Sequence, residues 1–342
     1  ISNRSDRTLR ACFTSTTLRF YLATAAAAAM EVAAEAGAYE EMLRVVEACA
    51  ARIRWRLRPQ SKRRLLNDIT FLCTGLQPVI LMDYGGMMPQ LQENLCSLLH
   101  HARQEASILN PLRVMVMKDM LYLIHAEGLA EHVSPNARSQ HQLAFVDLEK
   151  SCCELLANTE KNETMLELLS IQDRFSAAFP LEVDVEPGTT KQKSGLPERA
   201  TDMECAGISI PDTTSLVVDL SAFLEGTQIA LPSLNGWLLG YPVTYLFRNE
   251  SGEVATQNLS KHSLHIYRIY MVRNRNSDAK QSEEELLSFS VPCDMSVKRN
   301  EEPWAKAFLA RMNGKLERCS HVWASVRLEI EVFQSQSGVI VL

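Results

Sequence analysis

The sequence predicts an α/β fold, in which a mixed, largely parallel sheet is covered by helices on both faces to give three layers. Two observations predict this class. Short, continuous apolar runs recur along the chain, and such runs are typical of strands that are buried on both faces. Segments with helical spacing of apolar residues separate these runs, and this alternation favours parallel strands joined by crossover helices.

Helical periodicity begins the first half of the chain. Pro59 is expected to end the first helix, and Ser61 to cap the second, because a serine side chain accepts hydrogen bonds from free backbone N–H groups. The apolar run PVILMD follows as a strand, bounded by proline and by two glycines. The elements predicted up to Ala178 are helices over 30–58, 61–75, 89–106, 120–133 and 163–178, and strands over 78–83, 112–117 and 142–147.

The alternation of apolar runs and helical periodicity stops between about residues 182 and 213, which are rich in Pro, Gly, Thr, Lys and Glu. This composition predicts a disordered segment, either a linker between two domains or a loop inside one. We expect a single α/β domain over 30–342 that contains this loop. The elements expected beyond it are strands over 216–219, 243–247, 263–272, 285–291, 323–333 and 338–342, a helix that ends near Gly240, and a helix over 303–318.

Residues 1–29 differ from the rest of the chain. They contain several arginines, serines and threonines with Asp6 as an acid, and then an alanine run that ends at Met30. This composition resembles a mitochondrial transit sequence. The competing interpretation, which we favour, is that Met30 opens the protein and that residues 1–29 are disordered or do not belong to the native chain.

Composition limits the class of protein. The 46% hydrophobic and 22% charged residues are typical of globular chains, and the formal net charge of -6 lacks the basic excess that non-specific nucleic-acid binding needs. No stretch approaches the roughly 18 uncharged apolar residues of a membrane span, so we expect neither nucleic acid nor membrane as a partner.

The nine cysteines include no C-x-x-C pair. This predicts reduced thiols in the cytoplasm or nucleus, or in mitochondria if residues 1–29 are genuine.

Two sequence blocks carry a family resemblance. The first is LNGWLLGYPVTYLF at 234–247, and the second is SFSVP at 288–292. Together with the early strand PVILMD, they resemble an uncharacterised domain-of-unknown-function family typified by the human chromosome 1 open reading frame 74 protein. The resemblance covers about residues 30–333. It implies a soluble cytoplasmic or nuclear protein and no established activity.

Three apolar runs end in an aspartate, at Asp83, Asp147 and Asp219. In open parallel sheets, ligands bind beyond the carboxyl ends of the strands, so these side chains are candidate catalytic residues that converge on Mg²⁺ and a phosphate. Aspartate is also a favoured helix N-cap, and this structural interpretation is the stronger one. Mg²⁺ is therefore expected as a cofactor only if the protein is an enzyme.

Gly85 and Gly86 follow the first strand and are candidate ligand-binding residues. Their backbone freedom would let amide groups approach an anion, although a tight turn between strand and helix explains the pair as well. No P-loop, complete G-x-G-x-x-G or G-x-S-x-G motif occurs. The sequence thus favours a non-catalytic interaction or regulatory protein with a protein partner. The alternative is a metal-dependent enzyme that acts on a phosphorylated or nucleotide-like small molecule.

Overall fold

The structure is a computed structural model that describes residues 34–140, 142–150, 153–156, 162–181, 212–274 and 282–334. The expected transit-like segment, most of the predicted loop over 182–213 and the predicted last strand lie outside these residues. The helices are α1 (34–52), α2 (Pro59–Cys73), α3 (Gln90–Glu105), α4 (Ala126–Val133), α5 (Pro135–Gln140), α6 (Glu163–Ala178), α7 (Leu231–Leu238), α8 (Gly252–Ser260) and α9 (Pro303–Arg318). The strands are β1 (Val79–Leu81), β2 (Leu112–Met117), β3 (Met120–His125), β4 (Ala144–Asp147), β5 (Glu154–Leu155), β6 (Val217–Asp219), β7 (Val243–Leu246), β8 (Leu264–Arg273), β9 (Glu283–Pro292) and β10 (Trp323–Phe333).

The described strands form three sheets. The largest has the order β1-β3-β2-β6, and the two others have the orders β10-β8-β9 and β5-β4-β7. In the first sheet β1 and β2 both pair antiparallel with β3, whereas β6 pairs parallel with β2. The long strands β8, β9 and β10 form an antiparallel sheet with β8 in the centre, and β4 pairs parallel with β7. The α/β class is confirmed.

The prediction of a largely parallel, three-layer sheet is not confirmed, because the described pairings are mostly antiparallel and belong to three sheets. The main reason is the segment 120–133, which we expected to be one helix. Its first half is β3, which returns along β2 through a two-residue turn at Lys118 and Asp119, with Lys118 at φ 55°. A hairpin in the sheet centre replaces the expected crossover, and only the second half of the segment, α4, is helical.

The largest sheet is buried on both faces. Val114 and Leu123 point to a first core cluster, which also contains side chains of α1, α2, α3 and α9. Their sequence neighbours Met115 and Tyr122 point to a second cluster, which contains side chains of α4, α6 and α7. The period-two alternation of a strand thus distributes apolar side chains to two cores. Helices contribute to the packing on each side.

The junction between α7 and β7 has the predicted form. The helix ends at Leu238, and Gly240 takes the left-handed conformation at φ 78°, which glycine adopts without a steric cost. Pro242 follows and β7 begins at Val243. Another predicted boundary is wrong in detail, because Pro59 is the first residue of α2 and does not follow directly on α1. Proline fits there since the first helical N–H needs no intrahelical partner.

Candidate functional site

Two of the predicted catalytic aspartates lie at strand ends and bind neighbouring groups of the chain. Asp83 is exposed, and its Oδ1 lies 2.8 Å from Nη2 of Arg64 on α2. Asp219 is also exposed, and its Oδ1 accepts a hydrogen bond from the backbone N–H of Ser221 at 2.8 Å. That contact stabilises the start of a short 3-10 helix over Ser221–Leu224. The first contact is an ion pair between the loop after β1 and α2, and the second is a local turn contact.

The third aspartate, Asp147, is buried at the end of β4. Its Oδ1 accepts a hydrogen bond from the backbone N–H of Glu149 at 2.9 Å, and its Oδ2 accepts one from Nδ2 of Asn162 at 3.2 Å. Asn162 is the N-cap of α6 and accepts from the backbone N–H of Met165. Asp147 therefore connects the end of β4 to the start of α6.

The structure does not bring the three carboxylates together. Asp83 follows β1 and Asp219 ends β6, which are opposite edge strands of the same sheet. Three strand spacings separate these edges, or about 14 Å. Asp147 belongs to another sheet. Within the described ranges, no group of three His, Cys, Asp or Glu side chains has the geometry to hold a metal ion. A catalytic role for these residues stays a prediction.

Packing explains the first of the two predicted ligand-binding glycines. Gly85 has φ 89°, and a Cβ atom there would lie 2.9 Å from Cζ2 of Trp55. The indole Nε1 of Trp55 donates a hydrogen bond to the Gly85 carbonyl at 2.8 Å. Gly86 has φ 142° and more space around it. The loop after β1 therefore needs glycine to accommodate an aromatic side chain, and ligand contact at Gly85 and Gly86 stays a prediction.

A different site emerges from the fold, in a cleft of about 1,210 Å³ between α9 and α4. Residues of α1 and of the loop after α2 complete its walls, including Tyr39 and Thr74. We call it the α9 cleft and define it by the α9 side chains that line it, which are Ala307, Ala310, Arg311, Gly314, Lys315 and Arg318. Because the alanines and the glycine are small, the groove is open along the helix, and three cationic side chains lie beside it.

Arg311 is the most unusual cation of the α9 cleft. Its Nη2 donates a hydrogen bond to the Gly240 carbonyl at 3.2 Å, but its Nη1 is buried and has no hydrogen-bond partner among the described residues. The guanidinium carbon lies 5.2 Å from the ring centre of Phe308. Burial lowers the pKa of Arg311 to about 10. In the described part of the chain, no carboxylate forms an ion pair with this guanidinium.

Lys315 lies one helical turn after Arg311. Its Nζ donates a hydrogen bond to the Leu76 carbonyl at 2.9 Å, and the described residues place no carboxylate within ion-pair distance of it. Burial, and then the charges of Arg311 and Arg318, lower the pKa of Lys315 to about 8, against an opposing effect of Glu131. A buried ammonium without a paired carboxylate is costly, so the folded chain holds this proton less tightly than an exposed lysine does, and a fraction of the amine is neutral near physiological pH.

Acidic and imidazole groups line the other walls of the α9 cleft. Glu35 on α1 has its Oε2 3.4 Å from Nδ1 of His321, whose Nε2 is buried without a hydrogen-bond partner in the structure as described. His132 contacts the Trp237 carbonyl through Nε2 at 3.1 Å. The carboxylates of the cleft thus lie at the α1 and α4 walls, and the unpaired cations lie on α9.

Sequence reasoning missed this site, although a signal was present. On α9, Arg311, Lys315 and Arg318 recur at the spacing of one helical face, together with Ala307 and Gly314. One face of α9 is apolar, and the face beside it combines small residues with cations. An ordinary solvent-exposed helix face would instead carry large polar side chains of both charges. The absence of a carboxylate partner depends on distant segments and is visible only in the fold.

The two blocks that carry the family resemblance contact each other and the α9 cleft. Tyr241 stacks on Phe289 with ring centres 6.1 Å apart, and the Tyr245 hydroxyl donates a hydrogen bond to the Ser290 carbonyl at 2.9 Å. Through the carbonyl of Gly240 the first block also receives the hydrogen bond from Arg311. The blocks therefore form one structural unit that supports a wall of the cleft.

Comparison with known proteins gives one family. In the part of the chain that the structure describes, no helix is both long enough and apolar enough to cross a membrane. Searches of curated proteins and of solved structures found no match to the chain. Residues 47–340, which include every site residue on α9 and both resemblance blocks, match the model of a domain of unknown function, DUF4504. The chain belongs to the DUF4504 family.

Proposed function

We propose that the protein is a non-catalytic regulatory protein that binds a small anionic molecule in the α9 cleft. One observation carries this proposal. The guanidinium of Arg311 is buried at Nη1, has no partner there, and forms no ion pair within the described residues. A buried, incompletely satisfied cation is costly in a folded protein, and an anion that pairs with it offsets this cost.

The size and lining of the cleft support a small-molecule ligand. Its volume of about 1,210 Å³ is somewhat larger than the range of about 300–1,000 Å³ that is typical of small-molecule sites, so a small ligand has ample room. Apolar side chains such as Ala310 and Leu181 line it together with polar groups of Tyr39 and His132. A few polar groups among apolar walls are typical of sites that orient one ligand. An anion that contacts Arg311 lies within one helical turn of Lys315.

The test measures whether anions stabilise the fold. Unfolding temperature is recorded against inorganic phosphate, and separately against citrate, at an ionic strength held constant with chloride. We expect a saturable rise, because a ligand that binds the folded state shifts the unfolding equilibrium by mass action. The Arg311→Met variant should lose the rise. Arg327→Met is the matched control, since Arg327 is an exposed arginine of β10 that is paired with Glu283.

Two results would contradict the proposal. One is the absence of a saturable rise with either anion. The other is a rise of the same size in the Arg311→Met variant, which would place the binding elsewhere. A rise that is lost equally in the Arg327→Met control would mean that surface charge in general is responsible.

The enzymatic alternative keeps Asp83, Asp147 and Asp219 as proposed catalytic residues, with Mg²⁺ as the cofactor. Its test is a thermal shift with MgCl2 on the native sequence and on Asp83→Asn. A magnesium-dependent rise that Asp83→Asn removes would favour an enzyme acting on a phosphorylated small molecule. We favour the regulatory protein because each aspartate already has a partner within the chain.

We also propose that the protein acts on a protein partner in the cytoplasm or nucleus. None of the described cysteines Cys49, Cys73, Cys96, Cys153, Cys293 and Cys319 forms a disulfide bond. Cysteines without disulfide bonds are typical of reducing compartments, and they support a location in the cytoplasm or nucleus.

A further inference from the structure

We infer that Lys315 captures an anionic carbonyl compound as a reversible imine, while Arg311 holds the anionic group. The ligand class is a small aldehyde or ketone with a phosphate or carboxylate a few bonds from its carbonyl carbon. This inference rests on the proposed function, because it names the ligand that the α9 cleft takes. It adds a covalent step to that binding.

The spacing of the two side chains sets the geometry. Arg311 and Lys315 are four residues apart on α9, so their Cβ atoms lie about 6 Å apart on the same helix face. Both line the α9 cleft, whose small residues Ala310 and Gly314 leave room over the helix. From this spacing of the two side chains we infer a ligand with about three bonds between its anionic group and its carbonyl carbon.

The surroundings of Lys315 leave its amine available for reaction. Nζ has a fixed position, since it donates a hydrogen bond to the Leu76 carbonyl at 2.9 Å. No carboxylate in the described ranges pairs with it to hold an ammonium ion. The titratable groups that act on it are Arg311 and Arg318 on its own helix, Glu131 on α4, and the Cys319 thiol after α9.

The same surroundings keep part of the amine neutral near physiological pH. The pKa of Lys315 is lowered to about 8 by burial and by the two arginines. The neutral amine is the form that adds to a carbonyl, and a desolvated lysine beside another cationic group is a known way to obtain it.

The step balances without any further reactant. The lone pair of the Lys315 nitrogen adds to the carbonyl carbon, a C–N bond forms, and the C=O bond breaks in the loss of water. Both hydrogens of the neutral amine leave in that water, and a C=N bond remains. No electron donor or acceptor is required. Hydrolysis reverses the step, so the protein releases the carbonyl compound unchanged.

Lys306 gives an internal comparison on the same helix. It is exposed, and its Nζ lies 2.7 Å from Oε2 of Glu301. In the test, the full chain is mixed with glycolaldehyde phosphate and sodium borohydride, which reduces any imine to a stable secondary amine. Peptide mass mapping then gives the label on each lysine. We expect Lys315 to exceed Lys306 by roughly tenfold or more, because its amine is less protonated and Arg311 concentrates the probe.

Three further arms make the test specific. Neutral glycolaldehyde, which lacks the phosphate, should label the two lysines far more equally. Succinic semialdehyde, whose carboxylate carbon lies three bonds from its carbonyl carbon, should also label Lys315 selectively, and equal labelling of the two lysines by this probe would overturn the inclusion of carboxylates in the ligand class. The Lys315→Arg variant keeps a donor for the Leu76 carbonyl and a positive charge, but it cannot form the imine. It should retain the saturable thermal shift with inorganic phosphate while losing the Lys315 label.

The outcomes separate this inference from the proposed function. A phosphate-dependent thermal shift with equal labelling of Lys315 and Lys306 overturns the imine and leaves anion binding intact. Loss of both the shift and the selective label overturns both proposals. Selective labelling that persists in Arg311→Met overturns the role given to Arg311.

Discussion

Arg311 on α9 donates a hydrogen bond from Nη2 to the carbonyl oxygen of Gly240, at 3.2 Å. The acceptor lies in the α7–β7 junction, inside the sequence block that carries the family resemblance. The donor is the residue on which anion binding is proposed to depend. A ligand at the guanidinium would therefore change the hydrogen bond to the Gly240 carbonyl. Through this bond, binding in the α9 cleft is coupled to the backbone between α7 and β7.

The first prediction concerns Gly240, which has φ 78°. In a Gly240→Ala variant the new Cβ meets nothing closer than Cε1 of His132 at 3.8 Å, so space is sufficient. The left-handed backbone is unfavourable for alanine, and we expect a loss of about 1 kcal/mol in the free energy of unfolding, measured with urea.

Gly314 on α9 is the matched control for Gly240. A Cβ there meets nothing within 4 Å, and the residue is inside a helix. Gly314→Ala should raise the free energy of unfolding by roughly 0.5–1 kcal/mol. A Gly240→Ala variant as stable as the native sequence would show that the junction does not need the left-handed conformation.

The second prediction separates packing from ligand contact at Gly85. In Gly85→Ala, the Cβ would approach Trp55 to 2.9 Å at φ 89°, so both the ring and the backbone must shift. We expect a loss of about 2–4 kcal/mol in the free energy of unfolding, as for overpacking combined with backbone strain. Gly37→Ala on α1, where nothing lies within 4 Å, should be neutral or stabilising. If Gly85→Ala folds with native stability, the packing explanation is wrong.

The third prediction concerns a buried hydrogen bond between two elements. The Tyr122 hydroxyl on β3 donates to Oδ1 of Asn235 on α7 at 2.6 Å, and both residues are buried. Tyr122→Phe would leave the Asn235 oxygen without this donor, so we expect a loss of about 1–3 kcal/mol in unfolding free energy. Tyr270→Phe, at a partly exposed tyrosine of β8, serves as the control and should change stability little. Equal effects of the two variants would contradict the prediction.

The fourth prediction is a pH dependence at Asp68. Burial raises its pKa from 3.8 to about 6, although the Tyr84 hydroxyl, which donates to Oδ2 at 2.6 Å, and Arg64 act in the opposite direction. The folded state therefore binds a proton more tightly than the unfolded state does. This tighter proton binding by Asp68 stabilises the folded state fully below about pH 4. The stabilisation is lost as the pH rises through about 6.

The Asp68→Asn variant tests this dependence. Its amide oxygen still accepts from Tyr84, but the side chain has no proton to lose. The difference between a pKa of 3.8 and one of about 6 corresponds to about 3 kcal/mol. We expect the stability of the variant relative to the native sequence to rise by up to this amount between pH 4 and pH 7, as measured by urea unfolding. A constant difference across that range would contradict the shift.

Elements with clean periodicity could be predicted from the sequence to the residue. The bounds predicted for β2, α6, α9 and β10 agree with those of the structure. In α9 the stripe of Trp304, Phe308 and Met312 is buried as its spacing predicts. α6 and α9 are long and β10 alternates, whereas β2 is a short, mainly apolar run bounded by Pro111 and Lys118; in all four the local preference agrees with the tertiary environment.

β3 could not be predicted in this way, because its apolar run has no period that separates a buried strand from a helix. Its turn also lacks the usual glycine or asparagine, since Lys118 takes the positive φ.

The α9 cleft was missed for another reason. Whether Arg311 or Lys315 has a carboxylate partner depends on α1, α4 and the loop after α2, which are far away in sequence. The single-domain organisation stays a prediction.

The pairing of β6 with β2 has a consequence for how the chain folds. Val217 pairs with Val114, roughly a hundred positions earlier, and closing a loop of that length costs about 4 kcal/mol in chain entropy. β2 and β3 need only a two-residue turn. The hairpin is therefore expected to form early, and β6 to join late. Its docking is then secured by α6, whose Phe175 packs against Phe223 just beyond β6, with ring centres 5.8 Å apart.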